Sequence, residues 1–107
     1  MSLRVYLTAV RPTTVFEAGI THNLNTMAKE AGIYQHLWRP EELNITKARD
    51  LILPLQEGLK QLQDTPARFT ALNPKNGWGN YEDLVLFVAT YLEACRKDPD
   101  ADILTYK

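Results

Sequence analysis

The sequence predicts an α+β fold: about four helices packed on a small sheet formed by the N-terminal and C-terminal strands. Three observations carry this. The first residues alternate in polarity with period two, the last residues do so again, and the long stretch between them sets its apolar residues at helical spacing. Chain ends that are both strands pair most economically with each other in one sheet covered by helices.

Taken in order, "LRVYLTAV" puts Leu3, Val5, Leu7 and Ala9 on one side and Arg4, Tyr6 and Thr8 on the other, the pattern of a strand with one buried face. Pro12 breaks it, because proline cannot donate to a ladder. "TTVFEA" reads as a short second strand or merely as extended chain.

"GITHNLNTMAKEAGIY" then carries Ile20, Leu24, Met27, Ala28 and Ala31 on one helical stripe. Thr21 is its N-cap, and Gly32 followed by Ile33 suits a left-handed C-terminal stop. "YQHLWRPEELNI" reads as a connector in which Pro40 starts a single turn. In "TKARDLILPLQEGLKQLQ", capped by Thr46, the stripe Ala48, Leu51, Ile52, Leu55, Leu59, Leu62 keeps its phase across Pro54. That predicts one helix kinked near Asp50, with Gly58 letting a neighbour approach.

"DTPARFTAL" repeats a helix start, with Asp64 or Thr65 capping and Pro66 at the first position. The last helix, in "NYEDLVLFVATYLEACRKDPD", is capped by Asn80 with Asp83 reaching back. Its inner stripe is Leu84, Phe87, Val88, Tyr91, Leu92 and Cys95, widened by Val85 and Leu86. Pro99 stops it, and "ADILTY" closes the chain as a strand.

Residues 1–107 therefore form a single α+β domain, large enough for one modest core. A net charge of -1 gives no basic excess for nucleic acid or an anionic membrane. Only a spatial cluster of Arg11, Lys47, Arg49 and Lys75 would restore a nucleic-acid reading. The apolar runs are too short to span a bilayer, and the N-terminus shows no signal-peptide pattern. The single cysteine, Cys95, excludes an internal disulfide framework and fits a reducing, cytoplasmic setting.

Two polar stretches stand out. "NPKNGWGNYEDL" combines turn residues Asn73, Pro74, Asn76, Gly77 and Gly79 with the helix cap Asn80. The favoured reading gives each a local backbone task and folds Trp78 back over the core as a plug. The competing reading makes a ligand site in which Trp78 and Tyr81 supply a stacking wall. Glu82 and Asp83 in the same turn oppose a phosphate, and the spacing is no P-loop. In "ITHNLN", His22 is a candidate general base, with Asn23 or Tyr34 orienting a substrate; the favoured alternative is a surface histidine making one backbone hydrogen bond.

His22, His36 and Cys95 have no metal-ligand spacing, so no metal or other cofactor is expected. Cys95 on an apolar stripe reads as an inert small hydrophobe. Trp38 and Arg39 are of interface type, although a core-covering Trp38 with Arg39 paired to Glu41 or Glu42 is the favoured reading.

"ITHNLNTMAKEAGIYQHLWRPEEL" together with "NPKNGWGNYEDLVLFVATYLEAC" resembles a family of small, uncharacterised proteins of bacteria and their phages. The likeness runs from Ile20 to about Asp100; Gly19 stands where the family pattern has a residue such as Asn. The resemblance implies a phage or mobile-element association and a cytoplasmic setting, and it implies no activity. It also makes Thr21–Asn23 and Asn76–Tyr81 part of the family signature.

Two functions follow as expectations. The first is a non-catalytic binding or protein-interaction domain acting on a partner protein or on a second copy of itself. The second is a small-molecule binder or small enzyme with one pocket built from Thr21, His22, Asn23, Asn76, Trp78 and Tyr81, which requires His22 and Trp78 to share a site.

Overall fold

A computed structural model describes residues 2–9 and 13–107. The expected strand end at Val10 and break at Pro12, and the basic residue Arg11, lie outside the described residues. Three strands form one antiparallel sheet in the order β2-β1-β3, with β1 Ser2–Thr8 in the centre, β2 Thr14–Thr21 on one side and β3 Asp102–Tyr106 on the other. The terminal strands do pair: Arg4 faces Tyr106 and Leu7 faces Ile103.

The alternation in β1 works as read. Leu3, Val5 and Leu7 are fully buried, and the side chains between them face outward. Each such burial is worth roughly 1.5–3 kcal/mol. β2 is a full strand, longer than the sequence indicated, and it extends through Ile20 and Thr21. Ile20 is thus a core residue of the sheet. The first helix loses that turn: a 3-10 turn spans His22–Leu24, and α1 is Asn25–Glu30.

Gly32 ends α1 at φ 79. The Ile33 N–H donates to the Ala28 carbonyl and the Gly32 N–H to that of Lys29, both at 3.0 Å, the paired bonds of a left-handed stop. The segment read as a connector is itself helical. It forms α2 Tyr34–Trp38 and, as expected at Pro40, a single 3-10 turn over Pro40–Leu43.

The kinked helix is corrected. Ala48–Leu51 is a 3-10 turn, and α3 Ile52–Asp64 begins after it, leaving Pro54 in the first α-helical turn, where its missing N–H has no intrahelical partner to lose. Thr46 is not the cap. The opening N–H groups of Ala48 and Arg49 are satisfied by the carbonyls of Ala101 (2.9 Å) and Pro99 (2.8 Å), from the chain entering β3. The stripe still buries Ala48, Leu51, Leu55 and Leu62.

α4 is Pro66–Thr70, with Phe69 buried. α5, Tyr81–Lys97, is the principal helix, and its whole predicted stripe from Leu84 to Cys95 is buried. Its start is the predicted capping box: Asn80 Oδ1 accepts from the Asp83 N–H at 2.9 Å, and Asp83 carboxylate oxygen Oδ2 accepts from the Asn80 N–H at 3.1 Å. Tyr91 on α5 stacks on Phe16 of β2 at 5.8 Å between ring centroids, locking helix to sheet. Among the described residues no helix is long and apolar enough to cross a membrane.

Gly58 of α3 is buried, and a methyl group there would collide with the Ile33 side chain. The close approach anticipated at this glycine is therefore made by Ile33, which follows the Gly32 stop and precedes α2. Alanine gains up to about 1 kcal/mol in helix propensity over glycine, but overpacking against a stiff β-branched side chain costs about 1–3 kcal/mol. Gly58→Ala is expected to lower the melting temperature, and Ile33→Ala in the same chain to cost less than it does alone. Additive effects of the two substitutions in denaturant melts would refute the contact.

Candidate functional site

The loop before α5 is built by asparagines acting on backbone N–H groups. Asn76 Oδ1 accepts from the Trp78 N–H at 2.9 Å. Asn73 Oδ1 accepts from the Tyr81 N–H at 2.8 Å, a tie across eight residues that local patterning does not reveal. Gly77 (φ 75) and Gly79 (φ 92) flank Trp78 in the left-handed region. On the far side, the Asn23 side-chain amide lies 3.5 Å from the Trp78 carbonyl oxygen, and Thr21 Oγ1 accepts from the Asn23 N–H at 3.3 Å. The backbone of Trp78 is therefore held from both directions.

This geometry corrects the plug. Trp78 is 70% exposed, the most exposed of the large apolar side chains among the described residues. The two left-handed glycines and the asparagine ties set its backbone, and the indole projects from the loop instead of folding over the core. Trp38 has the opposite fate. It is 2% exposed, with Tyr34 stacked on it at 5.5 Å and the ring of His22 edge-on at 6.2 Å. It therefore offers no interface, and Arg39 pairs with Glu42 at 3.5 Å.

The Thr21–Asn23 and Asn76–Trp78 segments do meet. Thr21, His22, Asn23, Asn76 and Trp78 line one groove of about 700 Å³, which Ser2 and Arg4 of β1 extend. Tyr81 is not among them. Its hydroxyl donates to the Leu62 carbonyl at 2.6 Å, tying α5 to α3. Arg4 and Ser2 were missed because their relevance depends on register: they stand opposite Gly19 and Thr21. Gly19 leaves space for the Arg4 side chain, whose guanidinium reaches Glu17 at 3.1 Å.

His22 Nε2 is buried with no hydrogen-bond partner, so no polar group orients that nitrogen as a base. The predicted backbone hydrogen bond is likewise absent at that atom. Among the described residues no group of His, Cys, Asp and Glu could hold a metal ion. Lys47 is paired with Asp102 at 2.6 Å and Arg49 with Asp100, so two of the basic residues proposed for nucleic acid are locally neutralised.

Cys95 is buried, and that burial pushes its thiol up from 9.0 to about 12. Burial also raises the Tyr91 hydroxyl, one helical turn away. Compared with family models, with curated proteins and with solved structures, the chain matches none.

Two predictions follow from these positions. Gly77→Ala meets open space and carries only the left-handed penalty, about 1–2 kcal/mol. At Gly79 an added methyl also strikes Thr21 and Leu24, so Gly79→Ala is expected to cost clearly more in a denaturant melt. For Cys95, the native thiol stays protonated between pH 9 and about 12 while the unfolded thiol ionises. Stability is therefore intact below pH 9 and falls as pH rises through this window. Iodoacetamide at pH 8 is expected to label Cys95 in urea and not in the native protein.

Proposed function

We propose that this protein is a non-catalytic binding domain that engages a partner protein through Trp78. One observation carries the reading: a tryptophan 70% exposed on a loop whose backbone is fixed on both sides. Tryptophan is among the residues that most often dominate binding energy, and a pre-ordered anchor loses little freedom on association. Leu86, 65% exposed on α5, borders the same region and enlarges the apolar surface on offer. The partner is a different protein or a second copy of the chain. The bacterial or phage setting rests on the resemblance of the ITHNL and NGWG segments alone, and the cytoplasmic location on that resemblance together with the single cysteine.

A second reading is favoured by the groove. Because Thr21, His22, Asn23, Asn76 and Trp78 line it together, it also suits a small polar ligand stacked on the indole. A thermal-shift screen against nucleotides, sugars and amino acids separates the two. A ligand whose stabilisation of the wild type grows with its concentration, but which does not stabilise Trp78→Ala or His22→Ala, favours the small-molecule site.

For the leading reading, Trp78→Ala is expected to change stability by no more than about 0.5 kcal/mol, as surface substitutions usually do. The same change should remove the partner from affinity captures that the wild type enriches. Acrylamide should quench the indole of Trp78 in the free protein and lose access to it in the complex, while buried Trp38 is shielded throughout. Equal capture by the wild type and Trp78→Ala would overturn the reading.

A further inference from the structure

The strand order leaves the outer side of β2 without a strand neighbour. A second cleft of about 430 Å³ runs along that side. One wall is residues 18–21 of β2; the other is a single helical stripe of α5, Asp83, Leu86, Phe87 and Thr90, with Trp78 also in the lining. The two sheet edges are treated differently. At β3 the Thr46 carbonyl accepts from the Ile103 N–H at 3.0 Å, and Lys47 bridges to Asp102, so a neighbouring segment already occupies the start of that edge. Along β2 no such segment is found among the described residues.

We propose that β2 receives an extended internal segment of a partner polypeptide as a fourth strand, seated between β2 and α5. This rests on the Trp78 reading and gives its partner a conformation. An edge strand directs the N–H and C=O of alternate residues outward, a template that only another extended backbone satisfies. Natural edges are usually defended by lysine, proline or an inward charge. Thr14–Thr21 has no lysine or proline, its one charge, Glu17, is tied to Arg4, and its irregular pairing lies at the other end, opposite Leu7 and Thr8.

Charge selects the segment further. Among the described residues that line the cleft, Asp83 alone is charged. A C-terminal carboxylate is therefore disfavoured, and an internal, neutral or basic segment fits. Exposed Leu86 and Trp78 meet apolar side chains that recur at every second position of the incoming strand.

The test is selection of a displayed library of random dodecapeptides on the wild type, counter-selected on Leu86→Asp. The expected consensus has apolar residues at alternate positions. A synthetic peptide of that consensus should bind at least about tenfold more weakly to Trp78→Ala and to Leu86→Asp. On binding, the outward-facing amides within residues 18–21 should become protected in hydrogen exchange. Circular dichroism of both variants verifies that they remain folded.

A consensus with apolar residues three and four apart, or Trp78-dependent binding without protection of β2 amides, overturns strand addition while leaving the Trp78 anchor standing. Binding indifferent to Trp78→Ala overturns the anchor instead. Absence of any consensus overturns the proposal. If the chain then also dimerises with protection of the same amides, the edge belongs to a second copy.

Discussion

A three-stranded sheet with one apolar face cannot persist in water, and the arrangement of the remaining chain follows from covering it. Leu3, Val5 and Leu7 lie fully buried in the central strand, with Ile20 of β2 beside them. α5 supplies the cover: its stripe from Leu84 to Cys95 is buried, and Tyr91 stacks on Phe16. α3 braces α5 through the Tyr81 hydroxyl on Leu62, and the link between α1 and α2 meets α3 where Gly58 admits Ile33. The opposite face of the sheet, with Tyr6 and Tyr106 in edge contact at 5.5 Å, carries the polar half of the alternation.

Features with a short-range cause were legible in the sequence. The capping box of Asn80 and Asp83, the left-handed stop at Gly32, the first-turn proline of α4 and the stripe of α5 each depend on residues a few positions apart. Ile20 shows how a correct pattern misleads. It continues the alternation of Phe16 and Ala18 and also begins the helical spacing of Leu24 and Met27, so either period fits; pairing with Leu3 decides for the strand. The helix expected to be kinked near Asp50 instead opens as a separate turn, because chain entering β3, a partner distant in sequence, satisfies that turn's N–H groups.

The site was half legible for the same reason. That the Thr21–Asn23 and Asn76–Trp78 segments meet follows from where β2 delivers the first and where α5 begins. The direction of the indole does not follow from its size. Burial of a tryptophan is the ordinary outcome, and Trp38 obeys it. Trp78 departs from it because Gly77 and Gly79 set a backbone path that only glycine adopts readily, while Asn76 and Asn23 secure that path. Three asparagines and two glycines in one loop read as turn chemistry, and turn chemistry is what they perform. Its product is an outward side chain.

The central position of β1 has a kinetic consequence. Its pairing with β2 is a local hairpin, but its pairing with β3 joins opposite ends of the chain, Arg4 beside Tyr106. Closing so long a loop is entropically slow, and an isolated hairpin is marginal in water. Until the last strand docks, the central strand keeps one open edge and an uncovered apolar face. A chain cut within its helical middle separates β1 from β3, so neither fragment can complete the sheet and the two can recover it only by reassociating. Completion of the sheet therefore waits on the pairing of β1 with β3, the strand pairing most distant in sequence.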